Sequence, residues 1–347
     1  MKQKTGILLL QLGTPDSPST RDVRTYLREF LSDPRVIDLP WIARTVLVNG
    51  IIAPFRAPKS AKIYRELWQL GSGRSPLLTH TENTRTRLQE RMDVYAAKTG
   101  ATIDVEMAMR YQNPSMESVL ARMHQAAYDR IIILPLFPQY ASASTGSAIE
   151  KAFDIIRRWW VIPHLDIVSQ FYDHDGYLDS IVDRAAAFDL GSYDHILFSY
   201  HGLPERHVDK VYNEGLCSDR DCEHEITGEN GWCYKATCYA TTRLLAEKLG
   251  LHEDRYTVTF QSRLSKKWIE PFSDKVLEQL ARKGAKRVLV FSPAFVADCL
   301  ETLIEIGSEY QTLFRQHGGD TVDLVPSSND HPRFIDCLES LVLDRIP

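Results

Sequence analysis

Short apolar runs recur along the chain and are separated by longer segments of helical or irregular character. They occupy residues 6–10, 131–136, 165–168, 195–198, 256–260 and 286–291. Short runs of β-branched and aliphatic residues are typical of buried strands. Segment 243–250 is typical of the intervening helices, because its leucines fall on one face and Gly250 stands where a helix C-cap belongs. The alternation predicts an α/β protein with parallel sheets flanked by helices.

The chain has 347 residues, which is enough for two domains with separate cores. Each half contains a predicted strand followed by a loop rich in small residues or proline, at 136–146 and at 291–295. We therefore predict an N-terminal lobe over residues 1–175 and a C-terminal lobe over residues 176–347, with the last helix packing back on the first lobe.

Composition and charge exclude several classes of protein. The formal net charge is −5 and there is no long basic run, so nucleic acid is not a predicted partner. Phosphate-binding glycine motifs are absent from the sequence, which disfavours nucleotide hydrolysis and nicotinamide chemistry. The first apolar run ends too early for a signal peptide, and the sequence has no stretch long enough to span a membrane. These features predict a cytoplasmic protein.

The run at 195–198 leads directly into His201, and Gly202 and Pro204 then prevent the strand from continuing. Ligands of open α/β sheets bind at the carboxyl ends of strands. His201 is therefore a candidate metal ligand or proton carrier, and the alternative is a histidine that only hydrogen-bonds a turn.

Acidic residues follow the predicted strand at 287–291. Asp298, Glu301, Glu305 and Glu309 are spaced three, four and four apart, which would stack them on one face of a helix. Carboxylates among apolar neighbours have raised pKa values or bind a cation. The spacing predicts a path for protons or a divalent metal along this helix, and the alternative is a solvated acidic face.

Four of the six cysteines lie within 22 residues: Cys217, Cys222, Cys233 and Cys238, with four, ten and four residues between them. Structural disulfides are rare in cytosolic proteins, so the cluster predicts a metal centre in an insertion near residues 213–238. The wide spacing favours a [2Fe–2S] cluster over the alternative, structural zinc, and free or disulfide-bonded thiols are a third reading. His224 is a spare ligand candidate.

Several ordered motifs resemble those of the ferrochelatase family over nearly the whole chain. They lie at residues 10–15, 109–111, 136–140, 199–204, 261–263 and 298–305. The resemblance implies two Rossmann-like lobes and a lyase that inserts ferrous iron into protoporphyrin IX to form protohaem in haem biosynthesis. It implies that His201 and Glu301 form the metal-insertion site and that Asp298 and Glu305 belong to an acidic, often π-bulged helix. Some ferrochelatases carry a [2Fe–2S] cluster.

The resemblance gives further residues a role. Arg110, Tyr111 and Trp268 would hold the porphyrin, and Cys299 stands where some relatives have histidine. The hydrophobic segment 34–58 would form a lip with peripheral contact to the inner face of a membrane. Two alternatives stay open: a chelatase for coproporphyrin III or for another metal or tetrapyrrole, and a non-catalytic haem or metal carrier.

Overall fold

The computed structural model describes residues 4–346 and divides the chain into two compact units. The first unit takes the described part of Met1–Phe137, Ala141–Gln170 and the described part of Ile335–Pro347. The second unit takes Pro138–Tyr140 and Phe171–Phe334. The final segment of the chain therefore belongs to the first unit.

The first unit is built on a four-stranded parallel sheet. Its strands are β1 (Lys4–Gly13), β2 (Thr102–Tyr111), β3 (Arg130–Pro135) and β4 (His164–Ile167), in the order β2-β1-β3-β4. Strand β1 is central, and Ile7 to Leu10 are completely buried because helices cover both faces of such a sheet. Residues 8, 10, 131 and 133 form a core cluster with Val119 and Leu120.

The helices of the first unit include two π-helical segments. The helices are α1 (Thr20–Leu31), α2 (Trp41–Val46), a π-helix (Leu47–Ile52), α3 (Ala53–Leu70), α4 (Pro76–Thr99), α5 (Met116–Ala126), a π-helix (Ser142–Gly146) and α6 (Ser147–Ile156).

The second unit repeats the same sheet order. Its strands are β5 (His195–His201), β6 (Tyr256–Gln261), β7 (Arg287–Phe291) and β8 (Thr321–Leu324), all parallel, in the order β6-β5-β7-β8. Its helices are α7 (Asp175–Ala185), α8 (Glu205–Asp209), α9 (Tyr234–Leu249), α10 (Ser273–Arg282), a π-helix (Glu301–Tyr310) and α11 (Gln311–Gln316). The last helix, α12 (Pro332–Leu343), begins at the end of this unit.

The predicted fold class is confirmed: both sheets are parallel and flanked by helices. The C-cap prediction at Gly250 is also confirmed, because α9 ends at Leu249 and Gly250 has a φ of 64°. Strands β2 and β8 were not among the predicted apolar runs. Among the described residues, no helix is both long and apolar enough to cross a membrane.

Candidate functional site

His201 is the last residue of β5, at the carboxyl edge of the second sheet, and its side chain is half-buried. Its Nδ1 lies 2.6 Å from the carbonyl oxygen of Gly202. A carbonyl oxygen only accepts hydrogen bonds, so Nδ1 is the donor, and whenever the ring is neutral the lone pair lies on Nε2. The backbone thus prepares Nε2 to accept a proton or to bind a metal ion.

Two aromatic rings flank this imidazole. The ring centroid of His201 lies 6.4 Å from that of Trp268 and 6.3 Å from that of Phe295. Trp268 is held by a β-bridge to Pro204. Position 202 has no room for a side chain, because a Cβ there would lie 2.8 Å from the carbonyl oxygen of Gln261. Glycine therefore allows the two strand ends to approach closely.

Glu301 begins the ten-residue π-helix. π-Helices are rare, usually span a single turn and occur often at functional sites. The Glu301 side chain is half-buried and close to the Cys299 thiol. Burial and the negative charge of Glu301 raise the pKa of Cys299, so this thiol stays protonated.

Gln261 connects the strand that carries His201 to the π-helix. It is the register partner of His201 on β6, and its Oε1 accepts a 2.7 Å hydrogen bond from the Ser199 hydroxyl. Its Nε2 donates to the Glu301 carbonyl oxygen at 3.0 Å and to the Glu305 carboxylate at 3.1 Å. Gln261 lies in the motif at residues 261–263, and no role was predicted for it from the sequence.

The Glu305 carboxylate is surrounded by donors. It accepts from the Ser262 backbone N–H at 2.9 Å, the Ser262 hydroxyl at 2.5 Å and the Tyr310 hydroxyl at 3.1 Å. Ser262 adopts a left-handed φ of 61°, which a non-glycine residue seldom does. Burial and the neighbouring Glu305 raise the pKa of Tyr310, which keeps that phenol a donor.

The prediction of one helical face is wrong at Asp298, because this residue lies before the helix begins. Its buried carboxylate accepts from Asn329 Nδ2 at 2.7 Å, from the Ser327 N–H at 3.2 Å and from the Thr302 hydroxyl at 3.2 Å. Asp298 therefore anchors segment 327–329 to the start of the π-helix.

Arg110 and Tyr111 lie in the first unit, where both side chains bind Asp33. Arg110 donates to the Asp33 carboxylate at 2.6 Å, and Tyr111 donates at 2.9 Å. The Ser147 hydroxyl donates to the same oxygen at 2.5 Å. Tyr111 is 0% exposed in this structure, and its contact with a porphyrin stays a prediction. Arg110 already has a carboxylate partner, and no sequence motif pointed to Asp33.

Three of the four clustered cysteines meet in the second unit. The sulfur of Cys217 lies 3.8 Å from that of Cys222 and 3.9 Å from that of Cys233, and all three lie within 4.8 Å of one another. Hydrogen bonds from the other two thiols lower the pKa of Cys233. Cys238 lies outside this group, fully buried on α9 beside Tyr234.

The segment around this thiol triad has almost no apolar core of its own. Within residues 211–232, the buried side chains are Cys217, Cys222 and Asn230, and the rest are partly or fully exposed. A tetrahedral ion with bonds of about 2.3 Å holds its sulfur ligands about 3.8 Å apart. The triad therefore fits a thiolate metal centre in donor type and spacing, but it supplies three ligands where a [2Fe–2S] cluster takes four.

The predicted lip forms α2, the following π-helix and the start of α3. Trp41 is 71% exposed and Phe55 is 78% exposed. Ile42, Val46 and Ile51 are also exposed, whereas Val48 and Ala53 are buried in a core cluster. Arg56 and Lys59 are exposed on α3. This segment presents an apolar surface with basic neighbours.

Comparisons with known proteins show the family of the chain. A family model described as ferrochelatase matches residues 4–346. The chain is 43% identical to a ferrochelatase of Legionella pneumophila, covering 99% of this chain and 100% of that protein. It is 41% identical to a ferrochelatase of Coxiella burnetii, covering 97% and 93%.

Among solved structures, SirB from Bacillus subtilis with Fe3+ is similar in fold. Its TM-score is 0.54 at 11% identity, and the match covers 99% of this chain and 95% of that chain. The family model and the two relatives show the family, and the SirB structure shows only that the fold is shared. The chain belongs to the ferrochelatase family, and it inserts ferrous iron into a porphyrin in haem synthesis.

Proposed function

We propose that this lyase acts on protoporphyrin IX, with His201 and Glu301 at the metal-insertion site. The observation that carries the proposal is the imidazole at the end of β5, whose Nδ1–H bond to Gly202 leaves the Nε2 lone pair available. Trp268 and Phe295 beside the imidazole supply flat apolar surfaces for a macrocycle.

The reaction removes two protons from the free-base porphyrin. Two pyrrole N–H bonds break, the ring nitrogens bond to the incoming ferrous ion, and the iron keeps its oxidation state. A base must therefore take protons from the ring while iron approaches. His201 Nε2 suits this step, and ligation of the incoming iron is the alternative role for the same lone pair.

Glu301 and Glu305 would bind the substrate ion or carry the released protons along the π-helix. Gln261 contacts both residues, which supports a continuous polar route from the end of β6. Glu305 accepts hydrogen bonds from three different side chains. One of these hydrogen bonds would have to break whenever the carboxylate binds a proton or an ion. The hydrogen bonds from Thr302, Ser327 and Asn329 to the Asp298 carboxylate support a positioning role, because they tie three separate residues to one side chain.

An anaerobic assay with ferrous iron tests the substrate. We expect the free-base absorption of protoporphyrin IX to disappear with a kcat/KM at least about tenfold above that for coproporphyrin III, as differential binding of one substrate requires. A preference for coproporphyrin III would select the alternative chelatase. Porphyrin binding without turnover would indicate the carrier.

Peripheral membrane contact through the lip is part of the proposal. Exposed aromatic and aliphatic side chains beside Arg56 and Lys59 support it, because interfacial segments combine these features. Sedimentation with anionic lipid vesicles would measure it. We expect Phe55→Ser to reduce the bound fraction and the exposed Val94→Ser, on α4, to leave it unchanged.

We propose that Cys217, Cys222 and Cys233 hold a metal centre that cross-links their segment. The burial of these thiols in an otherwise exposed segment supports this proposal. A single zinc ion needs only the triad and one further ligand, whereas the predicted [2Fe–2S] cluster would need Cys238 or another donor.

Metal analysis and visible absorption after anaerobic purification decide between these centres. A coloured protein with two irons per chain would establish the cluster, and a colourless protein with one zinc would establish the alternative. We expect Cys222→Ala to lose the metal. Cys337→Ala, which alters a buried cysteine outside the triad, is the matched control and keeps it. Retention of metal by Cys222→Ala would contradict the assignment.

A further inference from the structure

Tyr234 connects the thiol triad to His201. It is the first residue of α9 and directly follows Cys233. Its side chain is buried, and its hydroxyl donates a 2.9 Å hydrogen bond to the backbone carbonyl oxygen of His201. The carbonyl of the next residue, Gly202, accepts from the His201 imidazole. The His201 carbonyl thus holds the backbone of this residue, and the Gly202 carbonyl holds its ring.

A second contact joins the same two regions. Asp209 ends α8, the short helix that follows the His201 motif, and its carboxylate accepts from the Cys217 N–H at 2.9 Å. On its other side, the motif is held by a hydrogen bond from the Ile269 N–H to the Leu203 carbonyl oxygen at 2.9 Å. The cysteine segment is therefore one support of the residues that follow β5.

Apart from its thiols, that segment buries few side chains. A metal ion bound to Cys217, Cys222 and Cys233 would fix both attachment points, since binding free energy at such a site becomes folding free energy. We infer that occupancy of the triad sets the position of His201, and that Tyr234 is the positioning residue that transmits it. This inference rests on the proposed metal centre and on the proposed role of His201.

The decisive variant is Tyr234→Phe, which removes the hydroxyl and keeps the ring. Tyr200→Phe is the matched control: Tyr200 is also buried, but its hydroxyl bonds to Thr242 at 2.8 Å. We expect Tyr234→Phe to retain its metal and to lower kcat about 5- to 10-fold with KM nearly unchanged, as for the loss of one buried hydrogen bond. Tyr200→Phe should change kcat less than about twofold.

A double-variant cycle with Cys222→Ala tests the coupling itself. If both changes act through one link, the double variant is at most about twofold slower than the slower single variant. Loss equal to the product of the two single losses would overturn the inference. Tyr200→Phe combined with Cys222→Ala should show simple multiplication.

A readout independent of turnover is the NMR signal of 13C-labelled histidine rings, assigned to His201 by its absence in His201→Ala. We expect the signal to shift in Tyr234→Phe and in metal-depleted wild type, but not in Tyr200→Phe. An unmoved signal in Tyr234→Phe would refute the link. A wild-type protein that inserts no iron, or an unimpaired His201→Ala, would instead refute the proposed function.

Discussion

Replacement of His201 by alanine is expected to lower the rate of iron insertion by about 10²- to 10⁴-fold, the range contributed by a positioned proton acceptor. The half-buried ring ends β5 and carries its lone pair on Nε2, so the substitution removes this group with little loss of packing. The measurement is the anaerobic decay of free-base porphyrin absorption. Porphyrin binding, followed by fluorescence quenching, should be retained, because Trp268 and Phe295 remain.

The matched control for this variant is His195→Gln. His195 lies at the opposite end of the same strand, and its Nε2 bonds to the Thr257 hydroxyl at 2.8 Å. Glutamine can keep that bond, so its rate should stay within about twofold of wild type. Equal rates for His201→Ala and wild type would show that Nε2 has no part in the chemistry.

The sequence predicted most of the fold because the buried strands are short, continuous apolar runs. Strand β2 was not among the predicted runs because polar residues alternate with apolar ones in Thr102–Tyr111, as the burial pattern of the strand shows. Strand β8 (Thr321–Leu324) also alternates polar and apolar residues, so it forms no continuous apolar run.

Residues of the site that stand at strand ends, such as His201, were accessible to sequence reasoning, because strand boundaries carry glycine and proline signals. Gln261 and Tyr234 were not assigned, because their roles depend on which strands are neighbours and where α9 starts. The same applies to Asp298. Its spacing fits a helical face, but it lies before the start of the π-helix and its carboxylate binds Asn329.

Cys238 illustrates the limit of spacing arguments. It repeats the four-residue gap of the first cysteine pair, which suggested a fourth ligand. In the structure, Cys233 is the N-cap of α9 and Cys238 lies within the helix, where five residues of helical rotation turn its thiol toward the core. Its role as a ligand stays a prediction that the metal content of Cys238→Ala would test.

Replacement of Asp33 by alanine is expected to lower the free energy of unfolding by about 3–5 kcal/mol, measured by urea denaturation, because it leaves the Arg110 charge buried without its partner. Burial opposes ionisation of Asp33, but hydrogen bonds from Ser147 and the Arg35 N–H, with the Arg110 charge, lower its pKa. A lowered folded-state pKa gives stabilisation that is complete above the unfolded value of about 3.9 and is lost as the pH falls through the folded value. The difference between wild type and Asp33→Ala should therefore shrink in acid.

Glu106→Ala, which breaks an exposed pair with Arg122, is the control and should cost less than about 1 kcal/mol. If Asp33→Ala does not fold, Asp33→Asn keeps the shape and tests the charge alone. Equal costs for Asp33→Asn and Glu106→Ala would show that the Asp33 charge does not stabilise the first unit.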